Sequence, residues 1–424
     1  MQKNKILELN NEMLKFISDS PTAYQAVENV AAELDKAELD KAGFGDNYVI
    51  RNGSSLIAYK LPNCMSSGNE NISGNNIKGF RIICAHTDSP MFKIKENPET
   101  KNGNGYVKLN VEKYGGMIVN TWLDRPLSVA GRIVYDNGSE LVSHNIDLKR
   151  PLYIIPNLAI HMSRGGEEKQ LSIQTDLQPI GDEGLYDLLA ENAGNISKDD
   201  ILGADLYLYN ACEGCLVGND KSYVCSPRLD DMQCVYTAFK AFIEATSSEY
   251  VNVLSVFDNE EVGSLTRQGA DSDFLKNTLL DIADMLDIKP QDYRKMLNQS
   301  FMISADNAHA VHPNRPEKAD ITNKPLINQG IVIKYHGGQK YTTDAYTGAF
   351  VKKICKDNDI KYQTYHNNSD IAGGSTLGNL VQANVSIPAA DIGVAQLAMH
   401  SSYETAGAED TVNMYEFMKA FYRG

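Results

Sequence analysis

The chain has 424 residues, 42% hydrophobic and 22% charged, which is ordinary for a soluble globular protein of about two domains. Its formal net charge of -15 repels phosphate backbones and anionic membranes, so neither nucleic acid nor a membrane is expected as a partner. No apolar run approaches the roughly 18 residues of a membrane span, and the seven scattered cysteines suit a reducing cytoplasm better than a disulfide framework.

The opening residues Met1 to Lys5 lead into an amphipathic pattern, with no apolar cleavable stretch, so no secretory signal is expected. Ile6, Leu7, Met13, Leu14 and Ile17 recur at helical spacing. Ser20-Pro21-Thr22 reads as a cap with a first-turn proline. A second helix is expected from about Thr22 through Leu34, extended by the repeat from Leu34 to Gly43 and stopped at Gly43. Asn63 to Lys78, rich in Ser, Asn and Gly, reads as a loop.

Phe80 to Cys84 has the character of a buried strand, running into His86-Thr87-Asp88. From about Met91 to Val224 the texture is strand-like and turn-rich, with strands expected over Tyr106 to Val111, Met117 to Thr121, Val129 to Tyr135 and Leu152 to Ile155. A long helix is expected around Met232 to Ala245. Strands Val251 to Phe257 and Phe301 to Ser304 then alternate with helices over Asp271 to Leu286, Phe350 to Asp357 and Thr411 to Tyr422. The pattern predicts an α/β fold. A discontinuous domain of residues 1–90 plus 225–424 would carry the sheet and its flanking helices, and 91–224 would form an inserted β-rich domain.

Several segments place metal-binding side chains where strands appear to end, the usual ligand edge of an open α/β sheet. His86 is followed two residues on by Asp88, a carboxylate that can hold the second imidazole nitrogen. Alone, that spacing is weak. Asp230 and Asp231 precede a helix, where acids also serve as caps. Glu260 and Glu261 follow an apolar strand, and adjacent acids there want a cation or solvent to relieve them. Asp306 and His309 follow the strand ending at Ser304, and His400 precedes the last helix. Imidazole with carboxylate suits zinc, or cobalt or manganese in its place. Cys212-Glu213-Gly214-Cys215 copies half a zinc knuckle, but with no second pair it reads as a loop feature.

Taken in order, Cys84 to Pro90, Asp258 to Ser264, Ser304 to Asn314 and Met399 to Glu404 resemble the M18 metallopeptidases, the aspartyl aminopeptidase family. Ser20-Pro21-Thr22, Thr121 to Arg125, Ala159-Ile160-His161, Tyr341 to Asp344 and Gly373 to Gly378 extend the resemblance to near the C-terminus. It implies a zinc-peptidase-like mixed sheet flanked by helices. It also implies two Zn2+ per subunit, bridged by Asp230, with His86 and Asp306 on one ion and Glu261 and His400 on the other. Glu260 would be the general base acting on a metal-bridging water. His161 would reach a neighbouring subunit's site, Lys334 would face an acidic substrate side chain, and His309 would contact substrate.

The implied activity is release of the N-terminal residue, Asp or Glu, from short peptides, with neutral residues such as Leu as the alternative. The implied assembly is a dodecamer built from dimers. Two departures stand out: Tyr24-Gln25 where many members carry a histidine, and Pro126 after Asp124-Arg125 where an acid is common.

Overall fold

A computed structural model describes residues 2–37, 47–62, 77–102, 105–162, 171–247 and 249–424. Among these residues, the main sheet has eight strands. Their spatial order is Tyr48–Arg51, Ser55–Lys60, Tyr250–Phe257, Gly79–His86, Phe301–Ala305, Ala389–Gly393, Ile331–Lys334 and Tyr362–Tyr365. Gly79–His86 pairs in parallel with both Tyr250–Phe257 and Phe301–Ala305, so the central strands are parallel. Ser55–Lys60 and Ile331–Lys334 run antiparallel to their inner neighbours, which makes the sheet mixed.

The apolar run of Gly79–His86 is explained by burial on both faces, as a central parallel strand requires. Its side chains alternate between two cores. Ile83 and Ala85 join the cluster of Met232, Phe239 and Phe242 from the helix Leu229–Glu244 and Phe417 and Phe421 from Ala408–Arg423. Ile82 and Cys84 face the opposite cluster, with Phe274 and Leu279 from Phe274–Met285 and Val381 from Leu377–Val385. The sheet is thus sandwiched between helices.

A second sheet, of seven strands among the described residues, draws every strand from between Met91 and Asn210. It has a core of its own around Phe92, Trp122, Leu127, Ile133 and Leu206. A third sheet joins Cys215–Val217 and Tyr223–Ser226 to Glu404–Gly407, Ala395–Leu397 and Ala308–His309. Gln25 helps tie the first helices to the second sheet. Its Nε2 donates to the carbonyls of Gly131 and Ile146, both at 3.0 Å.

The expected helices and strands are largely present, with three differences. Met117 to Thr121 is not a strand; a 3-10 turn spans Val119–Trp122. Met117, Val119 and Trp122 are apolar because a turn packs them on the second core, with Trp122 edge-on to Phe92 at 5.3 Å. Helix Leu185–Asn192 lies within the stretch expected to be strand and turn. Pro290–Gln299 and Leu377–Val385 are helices not anticipated from the sequence. The second helix is Ala23–Lys36; Gly43, its expected stop, and most of the Asn63 to Lys78 loop lie outside the described residues. No helix among the described residues is long and apolar enough to cross a membrane.

Candidate metal centre

Parallel strands that share a register end together. Phe257 is paired with His86, and Ser304 with Cys84, so the segments after these strands emerge at one carboxyl edge. His86 is the last residue of its strand, Glu260 and Glu261 form a 3-10 turn after theirs, and Asp306 directly follows Phe301–Ala305. Asp230 and Asp231 enter from the first turn of Leu229–Glu244, joined by a cis peptide bond and with non-helical backbone angles at both residues. His400 comes from the turn before Glu404–Gly407.

The donor atoms converge. His86 Nε2 lies 3.4 Å from Asp230 Oδ1, and His400 Nε2 lies 3.6 Å from Asp230 Oδ2 and 3.4 Å from Glu261 Oε2. One cluster of ligand atoms within 4.8 Å of one another contains His86, Asp230, Asp231 and Asp306. A second contains Asp230, Glu261 and His400, and a third His86, Glu260 and Glu261. Asp230 belongs to the first two, one carboxylate oxygen towards each histidine. Asp231, which the sequence offers beside Asp230 but to which the family resemblance gives no ligand role, is also a member. Its Oδ2 accepts the backbone N–H of His86 at 3.2 Å.

The electrostatics of so many acids demand a counter-charge. Burial, reinforced by Asp306, Asp88 and Asp230 against the opposing pull of His86, pushes the Glu260 carboxyl up to about 8. Burial and then Asp230 push Glu261 well above the carboxylate range. Burial works against the charged form of Asp230, but the His400 and His86 imidazoles outweigh it and hold this carboxyl low. Asp230 Oδ1, Asp231 Oδ1 and Glu261 Oε1 are buried without a hydrogen-bond partner. Buried acceptors in that state are costly, and divalent cations bound by these imidazoles and carboxylates would relieve them. The residues therefore fit zinc.

The surroundings shape the cluster. His86 Nδ1 is 3.0 Å from the backbone carbonyl of Asp88 and 3.5 Å from its Oδ1. The Asp88 carboxylate accepts the N–H groups of Glu260 at 3.1 Å and Glu261 at 3.2 Å, and the Tyr114 hydroxyl at 2.6 Å. Tyr114 also takes a hydrogen bond from Asn259 Nδ2 at 2.9 Å. After Tyr114 the chain crosses Glu261. A Cβ on Gly115, which has φ +74°, would lie 3.1 Å from Glu261 Cβ, so this crossing calls for glycine.

The remaining residues singled out in the sequence are placed differently. Lys334 is buried, with its Nζ 3.5 Å from Asp306 Oδ1 and donating to the Asn307 carbonyl at 3.1 Å. Burial opposes its charge, but Asp306 outweighs this and raises its pKa. His309 is solvent-accessible beside Tyr365; the surrounding protein and then the Lys334 cation hold its imidazole below the ordinary range. His161 sits on an exposed turn with Ile160 and Met162, outside every metal-capable cluster among the described residues. Cys215 and Cys225 face each other across two antiparallel strands as free thiols, and no cysteine joins a metal-capable cluster among the described residues.

The profile of the family described as Aminopeptidase I zinc metalloprotease (M18) matches residues 16–422. This chain belongs to the M18 family of zinc metallo-aminopeptidases. It is 40% identical to a probable M18 family aminopeptidase 2 of Clostridium acetobutylicum, over 98% of this chain and 99% of that one. A Pseudomonas entomophila protein of the same description is 34% identical over 98% of both chains. Among solved structures, yeast aminopeptidase 1 superposes with a TM-score of 0.83 at 27% identity, covering 98% of this chain and 97% of that one. A chain of the S. cerevisiae mApe1 dodecamer gives 0.82 at 28%, covering 97% and 96%. The hydrolase's fold and family are thereby shown together.

Proposed function

We propose that this M18 aminopeptidase removes the N-terminal residue of short peptides with two zinc ions per subunit. Asp230 would bridge the ions, His86 and Asp306 would complete one site, and Glu261 and His400 the other. The observation that carries this reading is the pair of overlapping donor clusters sharing Asp230. Bound there, the metals would supply Lewis acidity and acidify a water, roles that cobalt or manganese could also fill. Glu260, beside His86 and Glu261, takes the proton of the attacking water and delivers it to the nitrogen of the departing peptide.

Further parts of the reading go with it. Residues 1–90 plus 225–424 form the catalytic domain and 91–224 the inserted oligomerisation domain; the separate core around Phe92 and Leu206 supports this as far as Asn210, while Cys215–Val217 and Tyr223–Ser226 share a sheet with Glu404–Gly407. The enzyme is a cytoplasmic homo-oligomer, a dodecamer by analogy with the yeast assembly. His161, exposed on its turn, reaches a neighbouring subunit's site, and His309 contacts substrate.

Replacing Glu260 by Gln tests the mechanism. Metal content per subunit should stay at the wild-type value while kcat falls by about 10²–10⁴. Wild-type turnover in that variant would sink the role of Glu260.

For the substrate, the primary reading is an N-terminal Asp or Glu facing the Lys334 cation. One observation favours the alternative, a neutral residue such as Leu: the Lys334 charge is already paired with Asp306. A dipeptide panel with wild type and Lys334→Met separates them. Wild-type preference for Asp or Glu, lost in the variant, supports the acidic reading. A preference for Leu supports the neutral one.

A further inference from the structure

We propose that Glu404 positions the Asp230 and His400 half of the centre, acting through backbone hydrogen bonds and not as a metal ligand; this rests on the two-metal reading above. Glu404 is 1% exposed. Its Oε1 accepts the backbone N–H of His400 at 2.7 Å and Gln396 Nε2 at 3.2 Å. Its Oε2 accepts the backbone N–H of Asp230 at 3.0 Å. One buried carboxylate thus joins the main chains of two site residues lying 170 positions apart in the sequence (400 − 230).

The bond to His400 has a specific task. His400 has φ 67°, in the left-handed region that a residue with a side chain adopts at a cost. Its backbone is held on both sides, by Glu404 at the N–H and by the N–H of Ile118 at the carbonyl, 3.0 Å away. This unusual backbone directs the imidazole back towards Asp230 and Glu261, whose oxygens lie 3.6 and 3.4 Å from its Nε2.

The same carboxylate anchors a longer chain of buried groups. Gln396 Oε1 accepts from Asn307 Nδ2 at 2.7 Å. The two hydrogens of Asn307 Nδ2 are shared between this oxygen, the Leu229 carbonyl at 3.1 Å and Gln233 Oε1 at 3.2 Å. Asn307 is the chain neighbour of Asp306, and Leu229 of Asp230. The network therefore links the main chain at Asp230 and His400 to the segment next to Asp306. Glu404 itself differs from the metal-facing acids. Both of its oxygens are taken by N–H donors and it joins no metal-capable cluster among the described residues, whereas Glu261 Oε1 and Asp230 Oδ1 are buried without a hydrogen-bond partner.

The variant Glu404→Gln keeps the shape but turns one acceptor into a donor facing an N–H. Metal content after exhaustive dialysis and zinc affinity from competition with a chromophoric chelator are the primary readouts, both independent of turnover. The weaker zinc should bind about 10–100-fold less tightly, as expected for residues supporting a metal ligand. The low kcat should recover at high zinc while KM stays near wild type. Affinities within about twofold of wild type would overturn the proposal.

Wild-type stoichiometry is a separate outcome. A value other than two metals counts against the two-metal reading, while the comparison of variant with wild type still decides the role of Glu404. If Glu404→Gln yields no folded protein by circular dichroism, Gln396→Met removes one donor from the same carboxylate. A severalfold weaker zinc site is then expected, and an unchanged affinity in that variant would overturn the proposal.

Discussion

Asp88 Oδ1 accepts the backbone N–H of Glu260 at 3.1 Å, so the carboxylate next to one histidine also sets the position of the proposed base. Its other oxygen does the same for Glu261 at 3.2 Å. The sequence spacing makes Asp88 a candidate to hold the His86 imidazole, and the carbonyl of Asp88 lies closer to that ring than its carboxylate does. Replacing Asp88 by Ala should therefore disturb both acids of the Glu260–Glu261 turn. Metal affinity and kcat are each expected to fall by about 10–100-fold, read by chelator competition and steady-state kinetics.

Gly115 allows the second sheet's chain to pass over Glu261. Gly115→Ala places a methyl 3.1 Å from Glu261 Cβ at a residue with φ +74°. Zinc binding should weaken in this variant, with a loss of stability of about 1 kcal/mol or more from backbone strain. Thermal unfolding with and without added zinc separates the two effects.

Lys60 caps a helix from outside. Its Nζ donates to the carbonyls of Phe242, Ile243 and Ala245 at 2.8–2.9 Å, at the end of Leu229–Glu244. Lys60→Met leaves those carbonyls without this donor and should cost about 1–3 kcal/mol in urea unfolding. The opposite end of that helix carries Asp230, so a lower zinc affinity accompanying the stability loss would indicate that the whole helix shifts.

Asp205 makes one contact in the structure sensitive to acid. It accepts from Arg132 at 2.7 Å and from Tyr24 at 3.1 Å, linking the second helix to the second sheet. Burial raises its pKa, but the Arg132 and Lys93 cations outweigh this and leave it below the ordinary value. A depressed carboxyl contributes stability above its unfolded pKa of about 4, and that contribution is lost as pH falls through the folded value. Asp205→Asn should thus lower the melting temperature at pH 7, and its gap from wild type should narrow below about pH 4. A gap constant with pH would contradict the assignment.

The sequence by itself determined the parts that depend on local pattern. The apolar strand before His86, the acids after Val251 to Phe257 and the helical spacing in Leu229–Glu244 are short-range signals, and the structure contains all of them. Motif order along the chain was enough to identify the family. Tertiary structure alone decided the neighbours. Tyr114 reaches Asp88 from the second sheet, Glu404 reaches Asp230 from the third, and Lys334 turns to Asp306. None of these pairs has a fixed spacing in the sequence. Each exists because segments distant in the chain are brought together around the site, where buried carboxylates must find N–H groups or cations to offset their lost hydration.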